Sequence, residues 1–204
     1  MTAQSAQLET LINDLCEKSY AICENFLPTD TIFALADDAK QHYLNGDLTA
    51  AKTGKINKTL NQEIRGDATL WLEENDSNAS IQAYFSKMHT LKKAINEALF
   101  MNLHALETHL AIYPVGSTYQ KHLDQFAHTE NRRQISSILY LNEDWQAGDG
   151  GELRLYLEDK THLDILPTGG KLVLFLSAKF WHEVLPAKRD RISLTGWFRT
   201  RENT

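Results

Sequence analysis

Three residues in the second half of the chain have the types and the spacing that hold a metal ion. His122 and Asp124 lie two positions apart in TYQKHLD, a segment with the composition of a β-strand. Strand residues two apart share a face, so the imidazole and the carboxylate project together. His182 opens the segment HEVLP and is the natural third ligand. Two imidazoles and one carboxylate on one side of a metal suit Fe(II) and leave its other positions open for oxygen and substrate.

A fourth residue is suited to a negatively charged ligand beside that metal. Arg191 comes nine residues after His182 and opens the strand-like segment RISLTGWFR. Strand alternation gives this segment one apolar face and one more polar face, the latter formed by Arg191, Ser193, Thr195 and Trp197. A guanidinium turned towards the interior is costly unless a carboxylate meets it. Because its planar fork matches a carboxylate, we expect Arg191 to bind an incoming dicarboxylate.

Other classes of function remain open at this point. Each histidine taken singly is more often a hydrogen-bonded structural residue than a ligand, and only the combination favours a metal site. A zinc hydrolase lacks support, because the sequence shows neither a denser histidine cluster nor a general base beside it. A non-catalytic β-barrel binding module, which keeps the fold without the chemistry, is the alternative from another class.

The elements that must position these residues change character along the chain. In the first half, apolar residues at helical spacing predict one helix through Leu8 and Leu15 and a second that Asp30 caps. Ser80 is the predicted cap of a third and longer helix. Between the second and third helices, the polar stretch 48–63 lacks periodicity and predicts a mobile loop.

From about residue 109 the sequence consists of short β-rich runs separated by turns. The predicted strands are LAIYP, TYQKHLD, ISSILYLN, GELRLYLE, HLDIL, KLVLFL, HEVLP and ISLTGWFR. This number of short strands indicates a jelly roll with the earlier helices packed against one sheet. We therefore predict one mostly β domain with flanking helices over residues 1–204. Residues 1–107 form its mainly helical support and residues 108–200 its β core.

The composition argues against several other classes of protein. The formal net charge of −6 disfavours nucleic acid as the main partner, and Arg132 and Arg133 are predicted to lie on a solvated face. No apolar run approaches the ~20 residues that span a bilayer, and the N-terminus lacks secretory features. Cys16 and Cys23 are expected to be thiols. A cytoplasmic location without membrane contact is the expectation.

Five stretches of the sequence, taken together, resemble a known family. They are IRGDATLWLEE, YPVGSTYQKHLD, ILYLNEDW, GGELRLY and FWHEVLPAKRDRISLTGWF. In this order and spacing they resemble the Fe(II)- and 2-oxoglutarate-dependent oxygenases of the prolyl 4-hydroxylase superfamily. Within that superfamily, the chain resembles the oxygen-sensing prolyl hydroxylases and their bacterial relatives.

The resemblance implies a cupin-like double-stranded β-helix in which His122, Asp124 and His182 bind the iron. Arg191 and the Tyr140 hydroxyl would hold the distal carboxylate of 2-oxoglutarate, whose other end would chelate the iron. The pocket walls would be Tyr113, Tyr119, Leu153, Thr195 and Trp197. The implied reaction consumes O2 and 2-oxoglutarate, releases succinate and hydroxylates an unactivated C–H bond, with ascorbate as an additional cofactor.

The resemblance also bears on the substrate. In the oxygen-sensing group an Arg-Gly-Asp segment follows a mobile loop that closes over a peptide, and Arg65 and Asp67 follow the stretch 48–63 in the same way. It implies hydroxylation of a prolyl residue in a protein, and the bacterial relatives point to elongation factor Tu. A small molecule or a free amino acid is the alternative substrate. The sequence does not give the oligomeric state, and a monomer is the working expectation.

Overall fold

Helices cover one side of the molecule in the computed structural model, which describes residues 3–51, 65–125 and 133–201. They are α1 (Ala3–Lys18), α2 (Thr29–Asn45) and α3 (Ala79–Leu99). Each corresponds to one of the predicted helices. Their buried side chains belong to the main hydrophobic core, so the helices bury one face each and leave the other to solvent.

Two of the predicted helix caps are wrong by two residues each. Helix α2 begins at Thr29, so Asp30 lies inside its first turn. There its negative charge interacts favourably with the positive end of the helix dipole. Helix α3 is capped by Asn78, whose side chain accepts hydrogen bonds from the backbone amides of Ser80 and Ile81. Ser80 therefore donates its backbone N–H to the capping side chain and is not itself the cap.

The strands form two antiparallel sheets. They are β1 (Tyr20–Cys23), β2 (Thr49–Ala50), β3 (Ala68–Leu72), β4 (Leu103–Tyr113), β5 (Tyr119–His122), β6 (Arg133–Tyr140), β7 (Leu153–Tyr156), β8 (His162–Ile165), β9 (Leu172–Leu176), β10 (His182–Val184) and β11 (Arg191–Thr200). Among the described residues, the larger sheet has the order β1-β9-β6-β11-β4-β3-β2 and the smaller one the order β5-β10-β7-β8. All eight predicted strands are present, and the prediction of a double-stranded β-helix is confirmed.

Strand β11 lies near the middle of the larger sheet and has two different faces. Its partners on either side are β4 and β6. The alternate side chains Ile192, Leu194 and Phe198 pack with the helices in the main core. Arg191, Thr195 and Trp197 point the other way and line a cavity between the sheets. The predicted alternation of this strand is therefore correct, and it places the polar face inside the barrel.

The predicted mobile loop 48–63 lies mostly outside the described residues. Its start is not a loop, because Thr49 and Ala50 form β2 and pair with Thr69 and Ala68 of β3. Residues 52–64 are not described, so the rest of this prediction is untested. Within the described ranges, every helix is too short or too polar to span a membrane.

Candidate active site

His122, Asp124 and His182 converge at the cavity between the two sheets. His122 ends β5 and pairs directly with His182 at the start of β10, while Asp124 follows β5 by two residues. The ligand atoms of all three side chains lie within 4.8 Å of one another. Each histidine Nε2 is 3.6 Å from a carboxylate oxygen of Asp124. The fold thus brings the three predicted ligands together, and this nitrogen and oxygen donor set fits Fe(II).

Backbone carbonyls orient the two imidazole rings. The Nδ1 atom of His122 lies 2.7 Å from the Gln120 carbonyl oxygen, and that of His182 lies 3.0 Å from the Phe180 carbonyl oxygen. A carbonyl only accepts hydrogen bonds, so each Nδ1 is the protonated nitrogen. Each Nε2 keeps its lone pair and points to the shared centre, as a metal ligand must.

One buried serine hydroxyl holds the carboxylate, and a second serine contacts the first. Ser136, on β6, donates a hydrogen bond of 2.6 Å to Oδ2 of Asp124. Its hydroxyl is also 2.9 Å from that of Ser177, and both serines are almost fully buried. The Asp124 side chain is therefore fixed from behind by a group that belongs to the larger sheet.

The ionisation states of these groups suit metal binding. Burial by itself raises the pKa of Asp124, but the neighbouring His182 and His122 and the Ser136 hydroxyl lower it well below its usual value. Burial lowers the pKa of His182 to about 4, against the opposing effect of Asp124. At neutral pH the carboxylate is charged and His182 is neutral, and these are the forms that donate to a metal.

Arg191 is a buried cation with no carboxylate beside it. It is 2% exposed, and its Nε donates a hydrogen bond of 2.9 Å to the Gly151 carbonyl oxygen. Within the described parts of the chain, no Asp or Glu oxygen lies within 4.0 Å of its guanidinium. The guanidinium carbon is 4.9 Å from the Tyr140 ring centre, and the Tyr140 hydroxyl is buried without a hydrogen-bond partner. An unneutralised guanidinium next to an unsatisfied hydroxyl fits the carboxylate of 2-oxoglutarate.

The predicted wall residues lie around the same cavity as the metal ligands and Arg191. They are Tyr113, Tyr119, Leu153, Thr195 and Trp197. Tyr140 is not among the lining residues and reaches the site through its contact with Arg191. The cavity is therefore formed by both sheets, with aromatic and aliphatic side chains between the two polar centres.

Arg65 lines the cavity as well, and Asp67 holds it there. The Arg65 guanidinium makes hydrogen bonds of 2.6 and 2.9 Å to the two carboxylate oxygens of Asp67, which is 2% exposed. Although burial lowers the pKa of Arg65, the Asp67 carboxylate raises it above its usual value. Arg65 lies 4.8 Å from the Tyr119 ring centre, and Tyr119 stacks on His122 at 3.6 Å. This stack connects the Arg65 segment to a metal ligand.

Several residues that line or support the cavity were not predicted as site residues. Arg133 was predicted to lie on a solvated face, but it lines the cavity, with its guanidinium carbon 3.5 Å from the Trp197 ring centre. His109, on β4, faces the cavity because its register partner on β11 is Thr195. Strand alternation alone could have found these residues only if the pairing of the strands had been known.

Gly151 is a further residue whose importance the sequence did not reveal. Its φ of +75° disfavours other residue types, and a Cβ there would lie 3.0 Å from the Ala187 Cβ and 3.1 Å from the Trp145 ring. Its carbonyl is also the partner of Arg191. The glycine therefore allows the backbone to approach and orient the guanidinium.

Known proteins with similar sequences and folds are oxygenases. The sequence profile of the 2OG-Fe(II) oxygenase superfamily matches residues 108–199. A solved prolyl-4-hydroxylase of Pseudomonas putida is 40% identical, with a TM-score of 0.87, and the match covers 95% of this chain and 99% of that one. A Trichoplax adhaerens prolyl hydroxylase, solved with a peptide fragment of the hypoxia-inducible factor oxygen degradation domain, is 24% identical, with a TM-score of 0.86 over 96% of this chain and 90% of that one. At this lower identity the likeness shows the fold alone.

The sequence is also similar to a longer animal protein. The hypoxia-inducible factor prolyl hydroxylase of Caenorhabditis elegans is 32% identical over 205 residues, which cover 93% of this chain. The chain spans only 28% of the length of that relative. The similarity therefore concerns only part of the longer protein.

Proposed function

Because the chain belongs to the 2OG-Fe(II) oxygenase superfamily, and to its prolyl hydroxylase-like members, we propose that it hydroxylates a prolyl residue in a peptide or protein. The observation that carries the proposal is a complete set of metal ligands, His122, Asp124 and His182, that shares a cavity with the unneutralised guanidinium of Arg191. A barrel that had lost its chemistry would have no use for a buried cation without a partner. This argues against the non-catalytic binding module.

The two cofactors have separate places in the cavity. His122, Asp124 and His182 would hold Fe(II), and Arg191 with the Tyr140 hydroxyl would hold the distal carboxylate of 2-oxoglutarate. When both are bound, they supply the activation of O2 that hydroxylates an unactivated C–H bond, as 2-oxoglutarate is converted to succinate and CO2. The protein keeps the His182 imidazole neutral and the Asp124 carboxylate charged, and these are the forms that donate to a metal.

The wall residues and the Arg65 segment serve the substrate in this proposal. The rings of Tyr113, Tyr119 and Trp197 would enclose the reacting carbon and exclude water. Arg65 would contact the main chain of the peptide, and Asp67 would act through Arg65 by fixing its position. These roles are supported by position and contacts alone.

The finer part of the proposal is that the substrate is elongation factor Tu. It is supported by the resemblance to the bacterial relatives of the oxygen-sensing hydroxylases and by the 40% identity to a bacterial prolyl-4-hydroxylase. A cytoplasmic location belongs to the same proposal, and the free thiols of Cys16 and Cys23 support it.

Mass spectrometry of a proline-containing switch-region peptide of elongation factor Tu tests the proposal. The peptide is incubated aerobically with enzyme, Fe(II) and 2-oxoglutarate, and succinate is measured in the same samples. We expect a gain of one oxygen atom on proline that requires 2-oxoglutarate. Asp124→Ala should abolish both signals, whereas Asp159→Ala, in an exposed turn, should leave both unchanged.

The possible failures of this experiment have different meanings. Succinate formation without peptide modification would retain the oxygenase and reject this substrate, and free amino acids and small molecules would be tested next. If neither succinate nor modified peptide forms although the metal is bound, the proposed activity is wrong.

A further inference from the structure

His109 is a buried polar side chain that has no partner in the cavity. It is 2% exposed and lies opposite Thr195 in the register of β4 and β11. Neither ring nitrogen makes a hydrogen bond with any described residue, although the ring lines the cavity that contains the metal ligands. Most buried polar groups in folded proteins do have partners, so this imidazole needs an explanation.

Packing does not explain a histidine at this position. The ring is flanked by Trp71, at 5.0 Å between ring centres, and by Trp197, at 5.4 Å. An apolar ring would fill the same space, whereas a buried polar atom left unpaired destabilises the folded protein. The indole N–H of Trp197 is also buried without a partner. Two neighbouring rings thus leave polar atoms unpaired in one cavity.

The position of His109 excludes the carboxylate end of the cosubstrate as its partner. Arg191 pairs in register with Tyr113, and His109 lies four residues from Tyr113 on the same strand. Four strand residues span about 13 Å, so His109 faces a different part of the cavity from the guanidinium. A ligand that reaches His109 is therefore not the distal carboxylate of 2-oxoglutarate, and in the proposed function it is the peptide substrate.

The charges around His109 select the kind of atom that it meets. Burial, with smaller effects of Arg65 and Arg133 and against the opposing effect of Asp124, lowers the pKa of His109 to about 3. The ring is therefore neutral and carries one N–H donor. The nearby guanidinium groups and the Trp197 N–H also favour an electron-rich atom. A prolyl residue has no N–H, and its only main-chain hydrogen-bonding group is its carbonyl oxygen.

We propose that His109 donates a hydrogen bond to a main-chain carbonyl oxygen of the peptide substrate, at the target proline or at the residue before it. His109 is then a positioning residue that sets the depth at which the proline enters the cavity. This inference rests on the proposed function, because it states how the same site recognises its peptide.

Binding without turnover tests the role of His109. The probe is the peptide that the wild-type enzyme hydroxylates in the assay above, titrated calorimetrically into enzyme loaded with Mn(II) and 2-oxoglutarate. His109→Phe keeps a ring between the two tryptophans but removes both nitrogens, and it should weaken peptide binding about tenfold. His109→Gln, which retains a donor, should bind the peptide within about threefold of the wild type. Both variants should bind 2-oxoglutarate within about twofold of the wild type, because the carboxylate is held elsewhere.

A peptide with one carbonyl oxygen replaced by sulfur identifies the acceptor. A thioamide at the target proline or at the preceding residue should weaken binding to the wild type and have a smaller effect on His109→Phe, because sulfur is the poorer acceptor. Equal losses in both proteins at both positions would reject a carbonyl as the partner. Unchanged peptide affinity in His109→Phe, or a parallel loss of 2-oxoglutarate affinity, would reject the positioning role. If the wild type itself neither binds nor hydroxylates any prolyl peptide, the proposed function fails instead.

Discussion

Ser136 and Ser137 show how much the direction of a single side chain matters in strand β6. The Ser136 hydroxyl donates to the metal ligand Asp124, while the Ser137 hydroxyl, on the opposite face, donates to the Gly196 carbonyl oxygen at 3.2 Å. Both serines are 1% exposed. They are equal in type and burial, so they form a matched pair for separating a role in the site from a role in the core.

Ser136→Ala should weaken Mn(II) binding about tenfold, because the carboxylate loses the hydroxyl that orients it. Ser137→Ala should leave the Mn(II) affinity unchanged and affect only stability. Calorimetric titration of Mn(II) into the two purified variants provides the measurement. Equal Mn(II) affinities would mean that Ser136 supports the fold and not the ligand.

His109 makes the stability of the metal-free protein depend on pH. Its pKa is lowered to about 3 in the folded protein, from an ordinary value of 6.5, so between these values only the unfolded chain binds the proton. The free energy of unfolding therefore falls as the pH is lowered through this window. Between about pH 7.5 and about pH 5, the wild type should lose about 2 kcal/mol more stability than His109→Phe. Urea unfolding in EDTA at the two pH values measures the difference, and parallel losses would show that His109 titrates normally.

The metal ligands and Arg191 could be predicted from the sequence because their chemistry limits their uses. His109 and Ser136 could not, because a histidine or a serine in a strand has many ordinary roles. Their importance arises from residues far away in the sequence: Thr195 stands opposite His109, and Asp124 accepts from Ser136. Such information lies in the pairing of the strands and not in the segment itself.

Among the elements, the turn before β7 has a direct effect on the cosubstrate site. It contains Gly148 and Gly151, which differ in their surroundings. A Cβ at Gly148 would meet nothing within 4 Å, whereas one at Gly151 would crowd Ala187, Trp145 and the Arg191 side chain, 3.4 Å away at its Cδ. The backbone of this turn is thus shaped around Arg191.

Gly151→Ala should lower the free energy of unfolding by about 1–3 kcal/mol, because alanine is strained at positive φ and crowds its neighbours. It should also weaken 2-oxoglutarate binding, since the Gly151 carbonyl orients Arg191. Gly148→Ala is the control and should change the unfolding free energy by less than about 0.5 kcal/mol. Urea unfolding of both variants measures the change in stability, and titration with 2-oxoglutarate measures the change in affinity. A Gly151 variant as stable and as tight-binding as the Gly148 variant would contradict the assignment.

Periodicity was sufficient to predict the helices and the eight later strands, because each pattern is local. It could not predict which strands pair. Strand β1 joins the larger sheet through β9, where Tyr20 stands opposite Phe175, and no local pattern encodes a partner so distant. The helix caps were misplaced for a related reason: Asn78 and Ser80 are both capping residue types, and only the backbone geometry distinguishes them.

At the scale of the whole molecule, the site depends on both sheets being in place. His122 and His182 belong to the smaller sheet, whereas Arg191 belongs to the larger one. Ligands that bind both groups should therefore stabilise the entire fold and not one element. The family and the fold could be predicted from the sequence for the same reason, because the motifs occur in all the strands that the site joins. The identity of the substrate could not be predicted in this way.

Mn(II) and 2-oxoglutarate together, each at about 100 times its Kd, should raise the Tm by at least roughly 5–10 °C. Asp124→Ala should remove the stabilisation by both ligands, because 2-oxoglutarate would be held in part through the metal. Arg191→Ala should respond to Mn(II) but no longer to 2-oxoglutarate. Thermal unfolding followed by circular dichroism provides the measurement. A 2-oxoglutarate response that persists in Arg191→Ala would place the carboxylate elsewhere.

The position of β11 in the larger sheet has a consequence for folding during synthesis on the ribosome. Among the described strands it comes last in chain order, yet it joins β6 on one side to β4 on the other. Before β11 emerges from the ribosome, the nascent chain therefore carries two separate half-sheets. Each has an unpaired edge that can pair with other chains. The larger sheet can close only after this strand has been synthesised. The time just before the release of β11 is when the new chain most needs protection from aggregation.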